Sequence, residues 1–213
     1  MNYLAHLYLA EDSPESILGN LLGDFVKGRL DRTYSPEIIR GIITHRKVDS
    51  FTDSHKLVLL SKRLISPRRR RFAGIIVDVS FDHFLARYWA DYSSVELGFF
   101  TRRVYDLLKL YRDALPEGLR SSIPRMSDED WLGSYSRIEG VGAVLDRISR
   151  RFKRENGLKG SVEELESNYS ALEDNFRTFF PELIAFVEDF RRNHGDSTRE
   201  DEHTGSFPMS LCG

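Results

Sequence analysis

Residues 74–91 read GIIVDVSFDHFLARYWAD. Ile75, Ile76, Val77, Val79, Phe81, Phe84, Leu85, Tyr88 and Trp89 surround nearly the whole circumference of a helix, and a helix apolar on all sides belongs at the centre of its fold. Yet this one holds Asp78, Asp82 and His83. Asp78 and Asp82 are one turn apart and project together. His83 points roughly 100° away from Asp82. Burying a charge without partners is unfavourable, so each of these groups needs one. A buried ion pair and a ligand site both remain open from this stretch alone.

Outward from it the pattern stays helical, with little period-two alternation and no internal repeat. The sequence predicts an all-α fold in a single domain over residues 1–194. Helices are expected near 14–28, 36–55, 56–65, 68–91, 95–114, 128–153 and 161–193. Ser13-Pro14-Glu15 and Ser35-Pro36-Glu37 each offer an N-cap followed by proline at the first helical position. Ser127 with Asp130, and Ser161 with Glu164, have the spacing of capping boxes. Pro181 is expected to kink or split the last helix, and Gly157 and Gly160 mark the loop before it. Residues 195–213, GDSTREDEHTGSFPMSLCG, are polar and aperiodic and read as a disordered tail. His203 and Cys212 therefore carry little weight as site candidates.

Composition narrows the class. With 40% hydrophobic and 30% charged residues among 213, the chain reads as a globular domain able to bury a sizeable core. A net charge of −2 argues against a protein that coats nucleic acid. The single cysteine, Cys212, fits a reducing compartment, and cytoplasm is the expected location. The apolar first ten residues lack a basic flank and end at Glu11 and Asp12, so a secretory signal is not expected. No apolar run reaches the roughly 18 residues that a spanning helix needs.

Polar groups recur along apolar stripes elsewhere. In residues 36–55, Ile38, Ile39, Ile42 and Ile43 define a buried face, and His45, Asp49 and Asp53 continue it at i, i+4, i+8. A divalent ion would satisfy several such carboxylates at once; a buried hydrogen-bond network is the alternative. In the first helix Leu18, Leu21, Leu22 and Phe25 form the stripe, with Asn20 and Asp24 at its edge. Gly19 and Gly23 form a second i, i+4 pair that would admit another backbone or a ligand. His6 lies among Leu4, Leu7 and Leu9, where a satisfied core histidine is the commoner outcome. The acids and imidazoles of interest all fall within the first 83 residues. Mixed imidazole and carboxylate ligands suit manganese, iron, zinc or magnesium. With no Walker loop, G-x-S-x-G elbow or H-E-x-x-H motif present, metal-assisted hydrolysis is the reaction class that remains.

Four stretches in order resemble the acyl carrier protein phosphodiesterases: Asn2-Tyr-Leu-Ala-His-Leu-Tyr-Leu-Ala10, Gly19-Asn-Leu-Leu-Gly-Asp-Phe-Val26, His45-Arg-Lys-Val-Asp-Ser-Phe-Thr-Asp53 and Asp78-Val-Ser-Phe-Asp-His-Phe-Leu85. Tyr169 through Pro181 is similar to the family's C-terminal helix. The resemblance implies an all-helical fold related to the histidine-aspartate (HD) metal phosphohydrolases. It implies removal of 4′-phosphopantetheine from the serine of holo-acyl carrier protein, with manganese as the usual metal and magnesium or iron as substitutes. The order here is Asp82-His83 rather than His-Asp, so HD ligand roles do not transfer by motif.

On that footing the expected metal ligands are drawn from His6, Asp24, Asp78, Asp82 and His83. His45, oriented by Asp49, is the expected acid–base group, with Asp53 continuing the row and Arg46 placed to pair with a phosphate oxygen. Arg68, Arg69, Arg70 and Arg71 form a basic run suited to steer an acidic carrier protein; a solvated turn is the plainer reading. A hydrolase of a nucleotide or other small phosphodiester, and a non-catalytic helical binding module, are the alternatives.

Overall fold

The computed structural model describes residues 1–30, 33–154 and 156–194, and among these it is all-helical. The helices are α1 (Tyr3–Tyr8), α2 (Pro14–Leu22), α3 (Pro36–Ser54), α4 (Lys56–Leu64), α5 (Ala73–Arg87), α6 (Trp89–Tyr92), α7 (Leu97–Leu110), α8 (Glu117–Arg120), α9 (Ile123–Asp128), α10 (Ile138–Ser149), α11 (Val162–Ser167) and α12 (Tyr169–His194). Three 3₁₀ turns, Pro67–Phe72, Arg112–Ala114 and Gly133–Ser136, join them. No described helix is long and apolar enough to cross a membrane. The expected tail, with His203 and Cys212, lies outside the described residues.

The apolar stretch that opened the sequence reading becomes α5, and it is central: α1, α4, α10, α11 and α12 all pack on it. Phe81 and Phe84 are fully buried and meet Phe176 of α12 at centroid distances of 5.6 and 5.7 Å. Phe176 in turn stacks on Phe180 at 5.1 Å. Each such ring removes enough apolar surface from water to contribute about 1.5–3 kcal/mol, so this aromatic column anchors the fold.

Two helix starts follow from local chemistry as expected. The Ser13 hydroxyl accepts the Ser16 N–H at 3.2 Å, and Ser35 accepts that of Ile38 at 3.3 Å. The other two capping boxes do not form. Ser127 lies inside α9, because Asp130 takes a positive φ of 43° and turns the chain there. The Asp130 carboxylate instead accepts the Tyr105 hydroxyl at 3.0 Å and the Gly133 N–H at 3.1 Å. The expected 128–153 helix therefore shortens to α10. Glu164 does not cap α11; it accepts Ser66 N–H at 3.0 Å and pairs with the Ser66 hydroxyl. Residues 68–91 divide into a 3₁₀ turn, α5 and α6, with the second break at Tyr88 (φ −105°, ψ 27°). Helix α12 runs unbroken through Pro181. Pro181 and Arg177 are both exposed, so water can serve the carbonyl that proline leaves unbonded.

Helix α1 was not legible, and its cause is tertiary. Asp82 of α5 accepts the N–H groups of Leu4 at 2.8 Å and Ala5 at 3.2 Å, capping α1 from another helix. Next to it, His83 Nδ1 donates to the Tyr135 carbonyl at 2.7 Å, and Nε2 accepts the Tyr169 hydroxyl at 3.0 Å. The most extensive helix pair is α2 with α3. It is close because two glycines cross: a Cβ on Gly19 would lie 2.3 Å from the Ile38 carbonyl oxygen and 2.8 Å from the Gly41 Cα.

Candidate metal centre

Three helices and a turn bring acids and imidazoles to one place. α1 carries His6, the turn after α2 carries Asp24, α3 carries His45 and Asp49, and α5 carries Asp78. The two imidazoles stack with centroids 3.8 Å apart and planes 18° off parallel. Both turn Nε2 to Asp49: His6 reaches Oδ1 and His45 reaches Oδ2, each at 3.1 Å. Asp24 Oδ1 lies 3.6 Å from His45 Nε2. The packing that allows this is local. Gly23 has no side chain, and the His45 ring fills the space, so that a Cβ there would sit 2.2 Å from it.

The electrostatics of the cluster are divided. Burial, helped by the neighbouring His45, pushes His6 down to about 4 despite its Asp49 contact. Burial alone would lower His45 too, but the neighbouring carboxylates of Asp24 and Asp49 outweigh it and raise the ring to about 9. Burial would raise Asp49, yet the two histidines hold its carboxyl far below the usual range. One imidazole is thus neutral and one cationic, with a carboxylate between them. The Met1 amino group adds a second positive charge, 3.3 Å from Asp78 and 3.7 Å from Asp49. Burial opposes that charge, but Asp78, Asp49 and Asp82 outweigh it and keep the amine above its ordinary value.

His6, His45 and Asp49 present one nitrogen or oxygen each within 4.8 Å of one another. Two imidazoles and a carboxylate are a donor set that borderline divalent ions accept. Nδ1 of both rings is buried without a hydrogen-bond partner among the described residues. Those are not the nitrogens that converge on Asp49, so they stay unsatisfied with or without an ion there. A divalent ion fits the donor set itself: two Nε2 atoms and a carboxylate, with Asp24 3.6 Å from one of the imidazoles.

The structure places the other expected residues as follows. The row His45, Asp49, Asp53 climbs out of the protein, with side-chain exposures of 3%, 42% and 72%. Asp53 pairs with Lys62 at 2.7 Å, away from the cluster. Asp82 and His83 spend their side chains on Leu4, Ala5, Tyr135 and Tyr169, and neither joins the group of three. Arg46 donates to the Val26 carbonyl at 2.9 Å and fixes the chain just past Asp24. Of the arginine run, Arg69 is buried, donating to the carbonyls of Gly157 (2.9 Å) and Gly160 (3.2 Å) and pairing with Glu163 and Glu164. Arg68 pairs with Glu163, while Arg70 and Arg71 are exposed.

Beside the cluster opens a cleft of ≈ 350 Å³. Asp24, Asp78 and Tyr3 line it, and so do Trp131, Arg147 and Arg151 from a second region of the chain. The sequence reading confined the site to the first 83 residues and missed this second region. Its arginines sit one turn apart near the end of α10, a spacing that looks like any solvated helix face.

The family model described as acyl carrier protein phosphodiesterase matches residues 1–183. Among curated relatives of that name, the protein of Serratia proteamaculans is 37% identical over 190 residues, covering 89% of this chain and 98% of the relative. That of Yersinia pestis is 37% identical over 185 residues, with 86% and 96% covered. That of Photorhabdus laumondii is 33% identical over 189 residues, with 88% and 96% covered. No solved structure matches the chain.

Proposed function

The chain belongs to the acyl carrier protein phosphodiesterase family, and from that premise we propose that it hydrolyses the phosphodiester joining the carrier serine to 4′-phosphopantetheine. Water adds at phosphorus, the serine oxygen leaves and takes a proton, and apo-carrier protein and 4′-phosphopantetheine separate. The observation that carries this reading is the His6–Asp49–His45 cluster, which meets an open cleft through Asp24 and Met1 rather than lining it directly. We assign a divalent ion to it, manganese being the first to test, and include in the proposal a relation to the HD hydrolases and a cytoplasmic location.

His6, His45 and Asp49 would hold the ion. This moves His45 and Asp49 from the acid–base roles expected of them to ligand roles, because their Nε2 and carboxylate atoms converge with His6. When bound, the ion would lower the pKa of a water and neutralise charge on the phosphoryl oxygens. Asp24 and Asp78 line the cleft next to the ligands, and are placed to move protons to and from water and the serine oxygen. Asp82 and Arg46 act as positioning residues: one fixes the helix bearing His6, the other the turn bearing Asp24.

A carrier protein also needs a docking face. Phe72 packs edge-on against Phe152 at 5.5 Å, bringing the 3₁₀ turn Pro67–Phe72 beside residues 150–154. Arg70, Arg71, Arg150, Lys153, Arg154 and Lys159 are all exposed there, next to the mouth of the cleft where Arg151 stands. A face of one sign steers a partner of the other, and the family resemblance implies an acidic partner.

The test is mass spectrometry of holo-carrier protein incubated with the enzyme and manganese. Loss of the pantetheine arm is expected. Intact holo-protein, with turnover of generic small phosphodiesters instead, would replace this reading with the small-substrate alternative.

A further inference from the structure

We infer that Arg147 and Arg151 form an anion-binding wall that grips the phosphate of the pantetheine arm; this rests on the proposed phosphodiesterase reading. The cleft is acidic where it meets the cluster, through Asp24 and Asp78. A phosphodiester carries negative charge, and carboxylates alone would repel it. Cationic groups are required beside them, and the two arginines line the same cleft as the acids.

Arg147 is built for that task. Its guanidinium lies 3.5 Å over the Trp131 ring, and its side chain is only 21% exposed. Among the described residues its one ion-pair partner is Glu129, at 3.7 Å. Glu129 is already shared, receiving Arg125 at 3.1 Å and the Trp131 indole N–H at 2.7 Å. A guanidinium has five N–H donors, so most of those on Arg147 are left for a ligand. Stacking holds its plane fixed, which favours two-pronged contact with a phosphate. Arg151 follows four residues later, past the end of α10, and is exposed. It lines the cleft together with Tyr3 and Asp24. It is placed to close over an anion that Arg147 holds. Met126, Leu132, Val144 and Ile148 supply apolar lining for the uncharged arm.

The experiment is isothermal titration of 4′-phosphopantetheine and of pantetheine into the full chain, beside kcat/KM for holo-carrier protein. The expected result is that pantetheine binds at least tenfold more weakly than its phosphate. Arg147→Gln/Arg151→Gln should bind 4′-phosphopantetheine at least tenfold more weakly, with kcat/KM down about a hundredfold. Arg147→Lys/Arg151→Lys keeps the charge and guards against misfolding; it should recover part of the binding. A Gln variant with wild-type helical circular dichroism and undiminished affinity overturns the proposal. If the wild type releases the arm and the Gln variant does so at the same kcat/KM, the wall is wrong and the activity stands. If the wild type leaves holo-carrier protein intact yet binds 4′-phosphopantetheine through these arginines, the activity is wrong and the wall stands.

Discussion

The His45 imidazole lies against the bare α-carbon of Gly23. Gly23→Ala would put a methyl group into that ring, whose position is also fixed by Asp49 and by stacking on His6. Gly23 has right-handed helical dihedrals (φ −52°, ψ −34°) that alanine adopts without strain, so helical content should hold. Displacing a site group by about 1 Å can lower turnover a hundredfold. The expected outcome is a native-like circular dichroism spectrum with manganese affinity and turnover both reduced about a hundredfold; unchanged metal affinity would disprove the placement.

Gly19→Ala should behave differently. Its new Cβ would meet backbone, 2.3 Å from the Ile38 carbonyl and 2.8 Å from the Gly41 Cα, and backbone cannot rotate away. Overpacking of this kind costs about 1–3 kcal/mol. Urea denaturation should show a loss in that range, with activity falling only as far as the folded fraction does.

Burial raises the Asp82 carboxyl from 3.8 to about 7, against the lowering effect of the Leu4 and Ala5 amides. The folded state therefore holds this proton more tightly than the unfolded chain. The resulting stability is complete below about pH 3.8 and is lost as pH rises through 7. Asp82→Asn cannot titrate. Subtracting its stability–pH curve from that of the wild type should leave a fall of roughly a few kcal/mol between these two pH values. A flat difference would show that Asp82 is ionised throughout.

The arginine run separates into two roles. Arg69→Ala strands two loop carbonyls and the buried Glu164, and breaking a buried pair from one side is destabilising by about 3–5 kcal/mol. Arg70→Glu/Arg71→Glu, on the surface, should leave stability within about 0.5 kcal/mol. That variant should instead raise KM for carrier protein and flatten its salt dependence. Thermal melts and a salt titration read the two effects separately.

The sequence made the frame legible where causes are local. Ser13 and Ser35 cap helices through contacts three residues away, and the all-round apolar pattern of residues 74–91 identified the central helix. Glycine spacing at 19 and 23 foretold close approach, though not that one neighbour would be backbone and the other an imidazole. What escaped was set at long range. Asp82 stabilises a helix 77 residues away, and residues 126–151 reach the cleft through the packing of the Gly133–Ser136 turn and α10 on α5. The His45–Asp49–Asp53 row failed at its end for a geometric reason. An i+4 step overshoots a full turn by about 40°, so two steps carry Asp53 from the core face to solvent.

Helix α1 is six residues long, far below the length at which an isolated helix persists in water. Part of its order comes from Asp82, across a loop from residue 4 to residue 82 whose closure entropy must be met before that contact forms. His6 is therefore expected to join its partner ring late in refolding. After dilution from denaturant, far-ultraviolet ellipticity should recover first, and the capacity to bind manganese should lag behind it.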